Sequence, residues 1–154
     1  MLIRLLLLGL VAAAFALESS ELPSPPPIAD FLLGLTGDWE GEAYRTPQGR
    51  LPYAIRFERT AEGHVSAVAN PGGALHHWTF FEEAGALRLR FLTTFGGNDE
   101  PIHLVANGSA ADAFEFRSGT LEHLRVRIEP HDRMIDVDVS LHGKPHVGIR
   151  WARP

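Results

Sequence analysis

The sequence predicts an all-β protein, an antiparallel up-and-down barrel of about ten strands preceded by one short helix. Three observations carry this. Short runs of alternating apolar and polar residues fill the chain from Gly37 to Trp151; such alternation buries one face of a strand and leaves the other wet. Turn residues separate the runs, as in Glu62-Gly63, Pro71-Gly72-Gly73, Gly96-Gly97-Asn98-Asp99, Ser118-Gly119 and Gly143-Lys144. No long helical pattern interrupts them, which excludes a parallel βαβ arrangement. An even number of antiparallel strands can close on itself and leave no open edge.

Before the barrel, residues 1–16 have the pattern of a secretory signal peptide. Arg4 supplies the positive start, Leu5 to Phe15 the apolar stretch, and Ala14-Phe15-Ala16 a small-residue cleavage site. The run falls short of the about 20 apolar residues a spanning helix needs. Cleavage near Ala16 would deliver a periplasmic or secreted protein with no membrane span. Residues 17–27, with Pro23, Pro25, Pro26 and Pro27, form a proline-rich spacer that can be neither helix interior nor ladder strand. The remaining domain, 28–154, opens with Ile28 to Leu35, where Ile28, Phe31, Leu32 and Leu35 make one apolar stripe. Two turns of helix there would suit a lid over one barrel end.

The strands follow in order. Tyr53, Ile55 and Phe57 alternate with Ala54, Arg56 and Glu58; Leu87, Leu89 and Phe91 with Arg88 and Arg90; Leu124, Val126 and Ile128 with His123, Arg125, Arg127 and Glu129. Ile135, Val137, Val139 and Leu141 oppose Met134, Asp136, Asp138, Ser140 and His142, and Val147, Ile149 and Trp151 oppose His146, Gly148 and Arg150. In the strand around His77-Trp78-Thr79-Phe80-Phe81, either Trp78 and Phe80 or Phe81 faces inward. Asp136 and Asp138 are expected to pair with Arg125 and Arg127 in a surface ladder without chemistry.

Composition excludes several functions. The formal net charge is −5, and loss of Arg4 with a leader makes it more negative, which argues against phosphate-backbone binding and so against nucleic acid. The absence of cysteine removes disulfides and lipid attachment after the leader. No G-x-S-x-G, P-loop, H-E-x-x-H or C-x-x-C pattern occurs, and no catalytic residue is assigned. Asn107-Gly108-Ser109 matches a glycosylation acceptor only by spacing.

Gly37-Asp38-Trp39 after a short helix resembles the G-x-W opening of lipocalin-like (calycin) barrels. The run Gly37 to Ala43 is also similar to the start of nitrobindin, a ten-stranded haem-binding barrel, with Ala43 where that pattern has a third glycine. The closest resemblance is to a family of uncharacterised exported bacterial lipocalin-like domains. It rests on the G-x-W opening, His77-Trp78-Thr79-Phe80-Phe81-Glu82-Glu83 and the acidic turn Asn98-Asp99-Glu100-Pro101, and covers about Ile28 to Trp151. It implies a structural barrel base of Gly37, Trp39 and Gly41, with Arg150 stacked on the Trp39 indole.

Histidine is the unusual ingredient, with 8 in the chain. Strand direction places His76, His77, His103, His123, His142 and His146 at the end opposite Trp39, and His64 and His131 at the Trp39 end. The expected function is binding of a small hydrophobic molecule inside the barrel, at His76, His77, Trp78, Phe80, Phe91, Phe95, His103 and Phe116. No cofactor is expected from the residues themselves. Haem or a metal on a mouth histidine is the alternative, with His123, His142 and His146 as metal candidates; the nitrobindin resemblance implies haem on His146. A filled barrel acting as an envelope interaction module is the third reading. Volume separates the first from the third, because rings that meet in the centre leave no room for a ligand.

Overall fold

The computed structural model describes residues 27–107 and 112–154. The expected leader, most of the proline spacer and part of the Asn107-Gly108-Ser109 triplet lie outside the described residues. What is described is a closed antiparallel barrel of ten strands with a helix, α1 (Ile28–Leu35), packed at one end.

The strands are β1 (Gly37–Thr46), β2 (Gly49–Pro52), β3 (Ile55–Arg59), β4 (Val65–Ala69), β5 (His76–Glu83), β6 (Ala86–Thr93), β7 (Ile102–Ala106), β8 (Phe114–Ser118), β9 (Leu124–Pro130), β10 (Met134–Leu141) and β11 (Lys144–Ala152). Eleven segments make ten strands because β2 and β3 are two halves of one, both paired to β1: Ala43 with Leu51, then Trp39 with Ile55. The break falls after Pro52, which has no N–H for a ladder. The Tyr53 N–H bridges it, donating to the Gly41 carbonyl at 2.8 Å. Every other strand pairs with its chain neighbour, and β11 returns to β1 with Trp151 opposite Gly41. Closure removes the free edges of an open sheet, except that β2 is paired to β1 alone.

The alternation read from sequence sets the register. Ile55 and Phe57, Leu87 and Leu89, Leu124, Val126 and Ile128, and Ile135 and Val137 all point inward and are buried. In β5 the inward set is His76, Trp78 and Phe80; Phe81 faces out and lies against the His64 ring, 4.8 Å between centroids. A barrel of ten strands is wider than one of eight, so aliphatic side chains alone would leave a hole at its centre. Here the centre is filled by rings. Trp151 meets Tyr53, Phe57 and Trp78 at centroid distances of 5.2, 5.8 and 5.6 Å, and Phe80 meets Phe57 and Phe116 at 6.0 and 6.1 Å.

The helix closes the Trp39 end, as its apolar stripe predicts. Phe31, Leu32 and Leu35 are buried, and the Phe31 ring sits 4.7 Å from Phe114. Trp39 Nε1–H donates to the Leu35 carbonyl at 2.7 Å, so the indole locks the last helical turn to the first strand. Two expectations are corrected here. The cation over the Trp39 indole is Arg153, 4.0 Å from the ring centroid, not Arg150. Arg150 shares outward parity with His146, and its guanidinium grips Asp136 at 2.7 Å. Asp138 likewise pairs with Arg45, while Arg127 turns to Glu129 on its own strand. The expected Arg125 and Arg127 ladder therefore does not form: the acids on β10 are taken by arginines from the β11–β1 side.

Candidate functional site

Inside the barrel, toward the end opposite Trp39, three aromatic side chains form one polar chain. Trp78 Nε1 lies 2.8 Å from the Tyr53 hydroxyl, and that hydroxyl lies 2.7 Å from His76 Nδ1. The proton direction follows from the donors. An indole nitrogen only donates, so the Tyr53 oxygen accepts from Trp78 and its own proton goes to His76 Nδ1. His76 therefore carries its proton on Nε2. Burial pulls the His76 imidazole from 6.5 down to about 4, so it is neutral at pH 7. Burial also pushes the Tyr53 phenol upward, against a smaller lowering by the Trp78 hydrogen bond. Both groups are fixed in their uncharged forms, which suits hydrogen bonding and opposes proton release.

The sequence supports this locally. Tyr53, Ile55 and Phe57 share inward parity, as do His76, Trp78 and Phe80, which places two polar-tipped rings face to face within the apolar interior. Phe91 covers the far side, its ring 5.4 Å from His76 and 4.3 Å from Trp78. Beside the chain, Trp151 Nε1 is buried with no hydrogen-bond partner among the described residues. Buried polar atoms are paired in the great majority of cases, so an unpaired donor at the barrel centre is exceptional.

Of the residues the sequence singles out, His76, Trp78, Phe80, Phe91 and Phe116 face the interior. His77 and His103 face out: His77 stands beside Leu92, and His103 pairs across the sheet with Arg90. Phe95 sits on the turn after β6, 51% exposed. At the base, Trp39 is buried, and a Cβ on Gly41 would run into the Arg150 carbonyl. His123 and His142 stack at the outer rim with ring centroids 4.2 Å apart; His146 is exposed on the wall beyond them. Among the described residues, no three His, Asp or Glu side chains come together in metal-holding geometry. Tyr53, Trp151 and Arg153 escape the sequence reading as site residues. Their signal is the same in kind, a polar or charged tip on a residue whose position is otherwise apolar.

Among the described residues the ring-packed interior holds no open slot for haem. The porphyrin would have to lie between Tyr53, Phe91, Trp78 and Trp151, whose rings are already at contact distance. His146 stands outside the wall and offers no slot. Two shallow spaces do open elsewhere. A crevice of about 150 Å³ lies between α1 and the β9–β10 turn, lined by Asp30, Phe31, Leu35, Trp39, His131 and Asp132 among others. A groove of about 190 Å³ on the outer wall is lined by His77, Thr79, Arg90, Leu92 and Pro101. No family model and no curated protein matches this chain.

Proposed function

We propose that the chain is an exported, calycin-like barrel that works as a binding module through its outer surface and rim, rather than as a carrier with a ligand inside. The observation that carries this reading is the ring packing across the centre, where Trp151, Trp78, Tyr53 and Phe57 occupy the space a ligand would need. The rim opposite Trp39 adds support. Leu75, Phe95, Leu121 and Leu141, large apolar side chains that stay exposed, all lie at its turns. The loops holding Leu75 and Phe95 are tied together, with Thr94 N–H donating to the Leu75 carbonyl at 3.0 Å and Leu75 N–H to Thr94 Oγ1 at 2.9 Å. The leader-like first sixteen residues support periplasmic or secreted placement, and no catalysis is assigned. Among the described residues no helix is long and apolar enough to cross a membrane.

The second reading, a small hydrophobic ligand inside the barrel, is favoured by one observation. Among the described residues Trp151 Nε1–H has no partner in its buried site, and a ligand carbonyl or hydroxyl entering beside it would supply one. Phe91 is the side chain that would have to swing aside to make room, since it is only half-buried and borders the rim.

Native mass spectrometry with an absorbance spectrum, on protein recovered gently from the secreting cell, separates the two. A bare mass that stays bare after addition of haem, zinc and a long-chain fatty acid supports the surface module. A bound mass, or a saturable shift of tryptophan fluorescence on fatty-acid addition, replaces it with the carrier.

A further inference from the structure

The outer wall of β4 to β7 carries a polar row that the interior does not explain. Register places Ser66 opposite Thr79, Thr79 opposite Arg90, and Arg90 opposite His103, all outward on four successive strands. The row above holds Val68, His77 and Leu92. The groove of about 190 Å³ lies where these rows meet, with Pro101 from the β6–β7 loop as its far wall.

The side chains are organised. Ser66 Oγ donates to the Trp78 carbonyl at 3.1 Å, which leaves its lone pairs to hold His77 Nε2 at 2.9 Å. Thr79 Oγ1 lies 3.2 Å from Ser66 Oγ and 3.4 Å from His77 Nε2. Thr79 is only 3% exposed although its position faces outward, and it lines the groove at its floor. Arg90 makes no ion pair among the described residues, whereas Arg88, two positions earlier on the same outer face, is taken by Glu83. No carboxylate lines the groove. Asp99 and Glu100, next to Pro101 in sequence, are exposed, and neither is paired with Arg90.

We propose that this groove binds a small organic anion, a carboxylate or phosphate monoester with a short apolar part. The charged end sits on the Arg90 guanidinium, whose planar fork matches two oxygens of either group. The Thr79 hydroxyl donates from the floor, and the Ser66-anchored His77 ring fixes one side. Leu92 and Pro101 receive the apolar part. The volume limits the ligand to a few heavy atoms beyond its charged group, since pockets for drug-sized molecules start at about 300 Å³.

The test is a titration followed by amide and imidazole NMR shifts, with butyl phosphate and butyrate as probes, and inorganic phosphate and butylamine as comparisons. Saturable shifts centred on His77, Thr79 and Arg90 are expected with both organic anions, and none with butylamine. Arg90→Gln should weaken binding roughly tenfold or more, the loss expected for a charge-assisted hydrogen-bonded pair. Thr79→Val should weaken it less. Arg125→Gln, which removes another exposed arginine with no ion pair among the described residues, should leave it unchanged. Arg90 is exposed, so its replacement leaves the fold intact. Equal binding by Arg90→Gln, equal losses in Arg90→Gln and Arg125→Gln, binding of inorganic phosphate as tight as butyl phosphate, or no saturable shift overturns the proposal.

Discussion

The Arg153 guanidinium lies 4.0 Å from the centroid of the Trp39 indole and donates to the carbonyls of Thr36, at 2.7 Å, and Gly34. One side chain from the end of the last strand thus joins the first strand and the final turn of α1. The helix stops at Thr36, with Gly37 following at a φ of 109°; Thr36 takes the Leu33 carbonyl, Trp39 that of Leu35, and Arg153 supplies the donor for Gly34. Arg153→Ala should therefore cost about 1–3 kcal/mol, combining a cation–π contact with charged hydrogen bonds. Arg150→Ala, losing an exposed guanidinium on Asp136, should cost less. Urea midpoints of the two variants check the order. If Arg150→Ala is the more damaging, the barrel base is held differently.

Tyr53 is the hinge of the interior polar chain. Tyr53→Phe keeps the ring and its packing on Trp151 but leaves Trp78 Nε1 and His76 Nδ1 without a partner. Leaving a buried donor unpaired costs about 1–3 kcal/mol, more than the net value of the bond itself. The expected result is a lower urea midpoint at unchanged slope, with far-ultraviolet circular dichroism retained. An unchanged midpoint would mean that water replaces the hydroxyl and the interior is wetter than its packing implies.

The strands and helix were legible because barrel walls impose a period of two, and Ile135, Val137 and Val139 display it without ambiguity. The β5 parity was not legible. Trp78, Phe80 and Phe81 are all aromatic, and only pairing of Val65 with Phe80 and of Trp78 with Phe91 decides that Phe81 faces out. The identity of the arginine over Trp39 was equally hidden. Arg150 and Arg153 are both near the end of the chain, and the choice depends on Arg150 having a carboxylate, Asp136, beside it on β10. Whether the barrel was hollow could not be read either, because filling is set by how the tips of rings from several strands interleave and not by any one strand's pattern.

Gly41 tests closure. It sits opposite Trp151 where β1 meets β11, and a Cβ there would strike the Arg150 carbonyl, backbone that cannot move without parting the strands. Gly41→Ala should destabilise by about 3 kcal/mol, the upper end of the usual cost of overpacking, because the obstructing atoms are backbone. Gly49→Ala is the control. That glycine has open space around it, and its cost comes only from a positive φ of 85°. Amide exchange along β1 and β11 should accelerate in the Gly41 variant and not in the Gly49 variant.

The depressed His76 imidazole makes stability depend on pH in one direction. The unfolded chain binds a proton near 6.5 and the folded chain only near 4, so between those values the unfolded state holds more protons. Stability therefore rises with pH through that window, is present in full above 6.5, and is lost as pH falls toward 4. Solvent at the rim screens the ring, which brings the effect to roughly 2 kcal/mol. His76→Gln removes the titration, and its side-chain carbonyl can accept from the Tyr53 hydroxyl. The wild type should lose more stability than His76→Gln between pH 7.5 and 4.5, while the carboxylates common to both cancel in the difference. An NMR titration of the His76 ring gives the second reading: no protonation above about pH 5 is expected. A midpoint near 6.5 would show a solvated ring, and with it a rim end that stands open to water rather than closed over the Tyr53–Trp78 chain.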